Sequence, residues 1–265
     1  MDPSTTTNIS AVVITKNEAD NIVRCIQALL KVSDDIVVVD AFSEDQTVSL
    51  AKELGARVVQ KKWVGYGYNK NIANHLAKYD WILSIDADEV LSPELIQTFR
   101  ALSPKENTVY AINRLVNFDG YWVKHSGWHP DWKVRLFNKT EVKWDETALV
   151  HEQLIVPTNY TRQPLKGLLY HYSYKNDADH WQRIEQYAQL AAQQMAATGK
   201  KANFTKLYLS PIARFLRTYF LKKGFLDGAI GWKISWRNAY LVNRCLLYTS
   251  PSPRDATLSR MPSSA

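Results

Sequence analysis

Cysteine is scarce in this chain of 265 residues. Cys25 and Cys245 stand far apart, match no metal-binding or redox spacing, and are expected as buried thiols. Long apolar runs are missing too. None approaches the ~18 residues of a membrane-spanning helix, so no transmembrane segment is expected. The polar stretch from Met1 to Asn8 lacks the apolar core of a secretory signal, and a cytosolic location is the expectation. No internal repeat is visible. What the chain does have is 46% hydrophobic residues, enough for a sizeable core in one large domain or in one domain with an appendage.

The net charge of +7 is unevenly placed. Met1 to Phe204 carries 23 Lys and Arg against 24 Asp and Glu, whereas Thr205 to Cys245 carries eight basic residues against Asp227 alone. The basicity belongs to one C-terminal segment.

Short β-branched runs at Ile9–Ile14, Asp35–Asp40, Arg57–Val59 and Trp81–Ile85 predict strands buried on both faces. Helical patterns lie between them at Ala19–Leu30, Ser43–Leu54 and Asn69–Ala77. Such alternation predicts an α/β fold, a parallel sheet covered by helices. Beyond Pro93 the pattern changes. Strands are expected at Val109–Leu115, Trp132–Phe137 and Leu165–His171, and a helix at Asp179–Thr198.

The apolar run Trp81–Ile85 stops at Asp86-Ala87-Asp88-Glu89, which places closely spaced carboxylates at the end of a strand. Open α/β sheets bind ligands at that edge. Two carboxylates two residues apart suit a hard divalent cation, and such a cation can clamp a diphosphate. Three other loops at the same expected edge carry Thr15-Lys16-Asn17-Glu18, Asp40 with Ser43 and Asp45, and Trp63 to Gly67 followed by Asn69-Lys70-Asn71. Together they describe a pocket for a nucleotide diphosphate.

Thr15-x-Asn17-Glu18, Val39-Asp40-x-x-Ser43-x-Asp45-x-Thr47 and Asp86-x-Asp88-Glu89 resemble the loops of the family 2 inverting glycosyltransferases with the GT-A fold. Trp63-x-Gly65-Tyr66, Asn69-Lys70-Asn71, Gly127-Trp128-x-Pro130-Asp131 and Val150-His151-Glu152 are similar to the bacterial subgroup of lipopolysaccharide core β-glucosyltransferases. The resemblance covers roughly residues 8 to 245. It implies a GT-A fold, a Rossmann-like mostly parallel sheet with helices on both faces, over residues 8–200. The nucleotide-sugar half is expected at 8–92 and the acceptor half at 93–200.

The resemblance also implies roles. Thr15, Asn17, Glu18, Asp40, Ser43, Asp45, Lys70 and Asp86 would form the nucleotide-sugar site, with Glu18 and Asp40 on uracil and ribose. Lys70 would face phosphate, or else be a solvated helix lysine. Asp86, Asp88 and His171 would hold Mg²⁺ or Mn²⁺, with His151 the rival imidazole. An inverting transfer needs a base on the face opposite the leaving group. Glu152 is the first candidate, Asp131 the second, and Glu146 and Asp145 are further carboxylates. The family pairs two carboxylates where this chain has His151-Glu152, so the carry-over is less direct here. Trp128, His129 and Arg135 are the expected acceptor contacts, the aromatic residues on sugar faces and Arg135 on an anionic group. Core packing is the other reading of the aromatic residues.

Tyr208, Ile212, Phe215, Leu216, Tyr219 and Phe220 recur at helical spacing, with Arg214 and Arg217 off the stripe. Residues 201–245 are thus expected as a C-terminal helical amphipathic extension on an anionic membrane surface. Packing on the chain's own domain is the alternative, and no motif supports nucleic acid. Residues 246–265 are rich in Ser and Pro and are expected to be a disordered, non-native tail resembling translated cloning sequence, with the natural C-terminus missing.

The combined expectation is a metal-dependent hexosyltransferase, peripheral on the inner face of the cytoplasmic membrane. It would move glucose from UDP-glucose to a lipid-linked acceptor, the lipopolysaccharide inner core. Another cell-envelope polysaccharide or an undecaprenyl-linked sugar is the alternative acceptor. The alternative of another class is a non-catalytic nucleotide-sugar-binding module.

Overall fold

The computed structural model describes residues 8–147, 153–174, 176–197 and 204–249. The described chain divides into two compact units. One runs to Val116 and resumes over Pro130–Ser173; the other joins Asn117–His129 to the residues from Tyr174 onward.

The first unit is a sheet with helices against it. In chain order its elements are β1 (Ile9–Thr15), α1 (Ala19–Leu29), β2 (Asp35–Asp40), α2 (Thr47–Glu53), β3 (Arg57–Gln60), α3 (Tyr66–Leu76), β4 (Trp81–Asp86), β5 (Glu89–Leu91) and α4 (Pro93–Arg100). Then come β6 (Thr108–Phe118), β7 (Tyr121–Val123, in the second unit), β8 (Asp131–Asn138), β9 (Lys143–Trp144), β10 (Leu154–Ile155) and β11 (Thr161–Tyr174). The strand order is β3-β2-β1-β4-β8-β6-β11-β5. Pairing is parallel from β3 to β4 and antiparallel where β8 meets β4 and β6. This is the α/β, GT-A type of sheet expected: a Rossmann-like parallel half followed by a half that contains the antiparallel pairs β4–β8, β8–β6 and β11–β5.

Alternation of side chains explains why the central strands are apolar throughout. Ala11, Val13, Ile36, Val38, Leu83 and Ile85 face one layer with Ile22, Cys25, Ile26 and Leu29 of α1 and Leu95 and Phe99 of α4. Val12, Ile14, Val37, Val39 and Ile82 face the other layer with Ala73 of α3 and Phe137 and Trp144. Helices therefore cover both faces. At the amino edge the Asp35 carboxylate accepts from Ser10 Oγ at 2.5 Å and from the Lys78 amide at 2.7 Å, and pairs with Arg57 at 2.7 Å.

The second unit is helical: α5 (Asp177–Ala197), α6 (Phe204–Leu216), a π-helical turn (Arg217–Leu221), a 3-10 turn (Gly224–Asp227) and α7 (Gly228–Thr249). Leu246 to Thr249, at the start of the expected tail, belong to α7. Phe118, Val123 and Ile234 form its small core with Trp128, Tyr174 and Ile230 against them. Among the described residues no helix is long and apolar enough to cross a membrane.

Candidate active site

The parallel register sets a row of polar residues along the carboxyl edge of the sheet. Asp86 lies opposite Ile14, Thr15 opposite Asp40, and Asp40 opposite Gln60. Asp40 is fully buried; its Oδ2 accepts from the Ser43 amide at 2.9 Å and from Gln60 Nε2 at 3.0 Å, and its Oδ1 accepts from Ser43 Oγ. Thr15 Oγ1 is buried with no hydrogen-bond partner among the described residues. Buried hydroxyls rarely go unpaired, so water or a ligand could serve it.

The loops after β1 and β2 are laced together. The Asn17 amide donates to Ser43 Oγ at 2.8 Å, the Glu44 amide to Asn17 Oδ1 at 2.8 Å, and the Glu18 amide to Thr47 Oγ1 at 2.8 Å. Asp45 accepts from the Ala19 amide at 3.1 Å and from Thr47. Asn17 takes a left-handed φ of 56°, which Asn tolerates better than most residues. Asn17, Ser43 and Asp45, expected as nucleotide contacts, thus shape the loop, with Glu18 partly exposed beside it and Asp40 buried at the end of β2. Asn21 Nδ2 steadies the Glu18 carboxylate at 2.6 Å.

The acidic cluster is threaded by cations. Asp86 Oδ1 lies 2.9 Å from Lys70 Nζ and its Oδ2 lies 2.6 Å from Arg135 Nη2. Burial pushes the Asp86 carboxyl up, but Arg135 and then Lys70 outweigh it and hold the group well below the usual carboxylate range. Glu89, wholly buried, accepts from Arg135 at 2.5 Å through Oε1 and from the Asp86 amide at 3.0 Å through Oε2, with Arg114 at 3.5 Å. Arg114 continues to Asp131 at 2.7 Å, and Lys133 reaches the same carboxylate at 3.1 Å. One chain of opposite charges thus links Lys70 to Asp131.

Two roles change in consequence. Arg135, expected to meet an anionic acceptor group, is only 4% exposed and is committed to Asp86 and Glu89. Lys70 is buried under the Trp144 ring, 4.6 Å from its centroid, with its ammonium on Asp86 rather than in solvent. The residues that sequence reading missed are Arg114 and the bridging role of Glu89. A lone arginine inside the apolar strand β6 was the available signal for the first.

Asp88 and His171 meet beside this cluster. Their Oδ2 and Nε2 atoms are 3.1 Å apart, and the side chains keep 17% and 15% exposure. β11 pairs with β5 so that His171 lies opposite Glu89, and the Tyr172 amide donates to the Asp88 carbonyl at 2.9 Å. Asp88 Oδ2 and His171 Nε2 are in direct hydrogen-bond contact, and Ser173 Oγ also lies 2.7 Å from His171 Nε2. Neighbouring ligands of an octahedral cation with ~2.1 Å bonds stand roughly 3 Å apart, so the same spacing could also serve two positions of one divalent ion. An imidazole among oxygen ligands favours Mn²⁺. Asp86, with both oxygens on cations, is not a third ligand in this arrangement, and among the described residues no group of three or more His, Cys, Asp or Glu could hold a metal. Diphosphate oxygens and water would have to complete the sphere.

Glu152 and His151 lie outside the described residues. Burial raises the Asp131 carboxyl, yet Arg114 and Lys133 bring it below its ordinary value, so it is ionised but a weaker base. Glu146 accepts from Asn71 Nδ2 at 2.7 Å, and Asp145 caps a turn at Thr147. Trp128 and His129 belong to the second unit, Arg135 to the first. The Trp128 ring packs 5.6 Å from Tyr174, 5.9 Å from His180 and 6.2 Å from Phe118, an aromatic cluster rather than a bare platform.

A sheet of this order, with a row of polar residues at its carboxyl edge, defines an α/β protein of the kind that binds ligands there. The profile described as "Glycosyl transferase family 2" matches residues 10–153, and the chain belongs to that family. It is 31% identical over 234 residues to a Rickettsia prowazekii protein named as an uncharacterized glycosyltransferase, covering 84% of this chain and 80% of that one. It is 27% identical over 263 residues to the lipopolysaccharide core biosynthesis glycosyltransferase LpsC of Rhizobium meliloti, covering 94% and 97%. Among solved structures, a mannosyltransferase from Pyrobaculum calidifontis, crystallised with GDP-Man and Mn²⁺, is 15% identical with a TM-score of 0.48, covering 97% of this chain and 80% of that one.

Proposed function

We propose that this glycosyltransferase moves a hexose, glucose from UDP-glucose, onto a lipid-linked saccharide with inversion, and that the acceptor is the inner core of lipopolysaccharide. The observation that carries the reading is the row Thr15, Asp40 and Asp86 beside the pair Asp88 and His171. The Thr15 hydroxyl, without a partner among the described residues, and the partly exposed Glu18 carboxylate suit a nucleoside, whose ribose and base carry donors for them, while buried Asp40 fixes Ser43 and Gln60 next to them. Asp88 and His171 would hold Mg²⁺ or Mn²⁺, which when bound neutralises charge on the departing diphosphate. Arg135 and Lys70 keep Asp86 ionised and fixed. The acceptor hydroxyl oxygen bonds to the anomeric carbon as the bond to UDP breaks, and its proton passes to a carboxylate on the opposite face. Glu152 takes that role; Asp131 is the weaker alternative, because Arg114 and Lys133 lower its basicity.

The likeness to LpsC over nearly the whole of both chains supports a lipopolysaccharide core acceptor. Such an acceptor is built on lipid, which agrees with a peripheral location on the inner face of the cytoplasmic membrane. UDP release measured against a panel of UDP-hexoses, with truncated core lipopolysaccharide as acceptor, tests the reading. UDP-glucose should be preferred and release should rise with acceptor. Indifference to acceptor, or preference for a donor carrying another nucleotide, would refute it.

A further inference from the structure

The second unit carries an apolar surface that its own core does not use. Leu221 is 79% exposed, and Phe220, Phe225, Leu226, Trp232 and Trp236 are each about half exposed. These residues are not scattered. The Tyr219 ring stands 5.1 Å from Phe220, 6.3 Å from Phe225 and 5.4 Å from Trp232, so three of them surround one half-buried tyrosine. Trp236 follows Trp232 by one helical turn on α7.

The corner that presents them is fixed by its interior. The Asp227 carboxylate, fully buried, accepts from the His125 amide at 2.9 Å, the Lys124 amide at 3.2 Å and His125 Nδ1 at 3.0 Å. Gly231 passes so close to Gly224 that an added Cβ would stand 1.7 Å from the Gly224 carbonyl oxygen. Polar bonds and glycine contacts fill the inside of the turn, and the large apolar side chains are left outside. Clustered apolar exposure of this kind marks a surface that meets an apolar medium.

The charges around it select which medium. Arg214, Arg217, Lys222, Lys223 and Lys233 are all exposed, while the one acid of the segment, Asp227, is buried. Lys233 is paired with the Asp177 carboxylate at 3.1 Å, but Arg214, Arg217, Lys222 and Lys223, in the same stretch as the exposed Leu and Phe, supply cationic charge that complements an anionic lipid surface. We propose that the corner from Tyr219 to Leu226, with Trp232 and Trp236, is a docking surface for bilayers containing anionic lipid. Leu221 and Phe225 enter the acyl boundary while Arg214, Arg217 and Lys222 meet the phosphates. The inference deepens the proposed membrane location and rests on it for its purpose, but the binding needs neither donor nor acceptor.

Co-sedimentation of the full chain with phosphatidylcholine vesicles, with and without phosphatidylglycerol, tests it. Binding should be much stronger to the anionic vesicles and should fall as salt rises. The pair Leu221→Ser and Phe225→Ser should lower the partition coefficient at least ~10-fold on anionic vesicles. The pair Arg214→Gln and Arg217→Gln should lower it about 25-fold there, roughly fivefold per charge, and leave neutral vesicles unaffected. Because all four residues are exposed, circular dichroism and melting should not change. Equal or absent binding to both vesicle types would overturn the proposal. So would a dimer in light scattering that the Leu221 and Phe225 pair abolishes. Normal UDP release to a delipidated acceptor without vesicle binding would sink the surface alone; vesicle binding without transfer would sink the catalytic reading alone.

Discussion

Arg135→Met removes the cation that joins Asp86 to Glu89 while keeping an unbranched side chain of similar length. In the native protein Arg135 Nη2 lies 2.6 Å from Asp86 and 2.5 Å from Glu89. After the change Asp86 retains Lys70 at 2.9 Å, while Glu89, wholly buried, is left among the described residues with the Asp86 amide and with Arg114 at the longer distance of 3.5 Å. Removing one partner of a buried pair leaves an uncompensated charge and costs about 3–5 kcal/mol. At 2–4 °C per kcal/mol for a unit of this size, melting should fall by about 6–20 °C. Urea unfolding of the single variant and of the pair Arg135→Met with Glu89→Gln measures the effect. The pair should be more stable than the two single losses predict, by about 1–3 kcal/mol, because the amide put in place of the Glu89 carboxylate leaves no orphaned charge. A single variant within ~1 kcal/mol of the parent, or additive losses, would refute the picture of a charge chain that depends on its links.

Two further outcomes follow from the second unit. Burial and then Arg237 hold the His180 imidazole at about 4, below its ordinary 6.5, and Arg237 donates to its Nδ1 at 2.6 Å. The unfolded chain therefore takes up this proton first, so the stability His180 supplies is complete above pH ~6.5 and is lost as pH falls toward 4, at up to ~1.4 kcal/mol per pH unit. His180→Phe, which keeps the ring contacts, should flatten the melting profile over that window; an unchanged slope would contradict the assignment. Gly231→Ala places a methyl carbon 1.7 Å from the Gly224 carbonyl oxygen and should destabilise the second unit by about 3 kcal/mol or more in a thermal melt.

How much of this was legible in sequence depends on element length and on what competes with the pattern. β1, β2 and β4 are apolar on both faces, and their limits were readable to within a residue. β5, β7, β9 and β10 are two or three residues long and too short to show a period. α4 announces itself through Ser92, whose Oγ accepts from the Leu95 amide at 3.2 Å, followed by Pro93, yet the change of pattern after β4 masked it. α2 begins at Thr47 rather than Ser43 because Ser43 and Asp45 are engaged in joining two loops. α3 begins earlier than expected, at Tyr66; its first turn contains Gly67, which weakens the helical pattern in sequence but is required by packing, since a Cβ on it would stand 2.2 Å from the Asp145 carbonyl oxygen. In the site, the carboxylates of the sheet edge were visible as an acidic cluster. Their cations were not, since Arg114 and Arg135 lie inside strands whose neighbours are apolar, and which cation meets which carboxylate is set by strand order alone.

The proposed transfer requires Asp88 and His171 to hold a divalent cation on a nucleotide diphosphate. UDP release from UDP-glucose, measured before and after chelation and again in Asp88→Ala, tests it most directly. Release should disappear on chelation, return with Mn²⁺ or Mg²⁺, and fall by at least ~100-fold in the variant, as loss of a stabiliser of leaving-group charge requires. Full activity in the presence of chelator, or in Asp88→Ala, would contradict it.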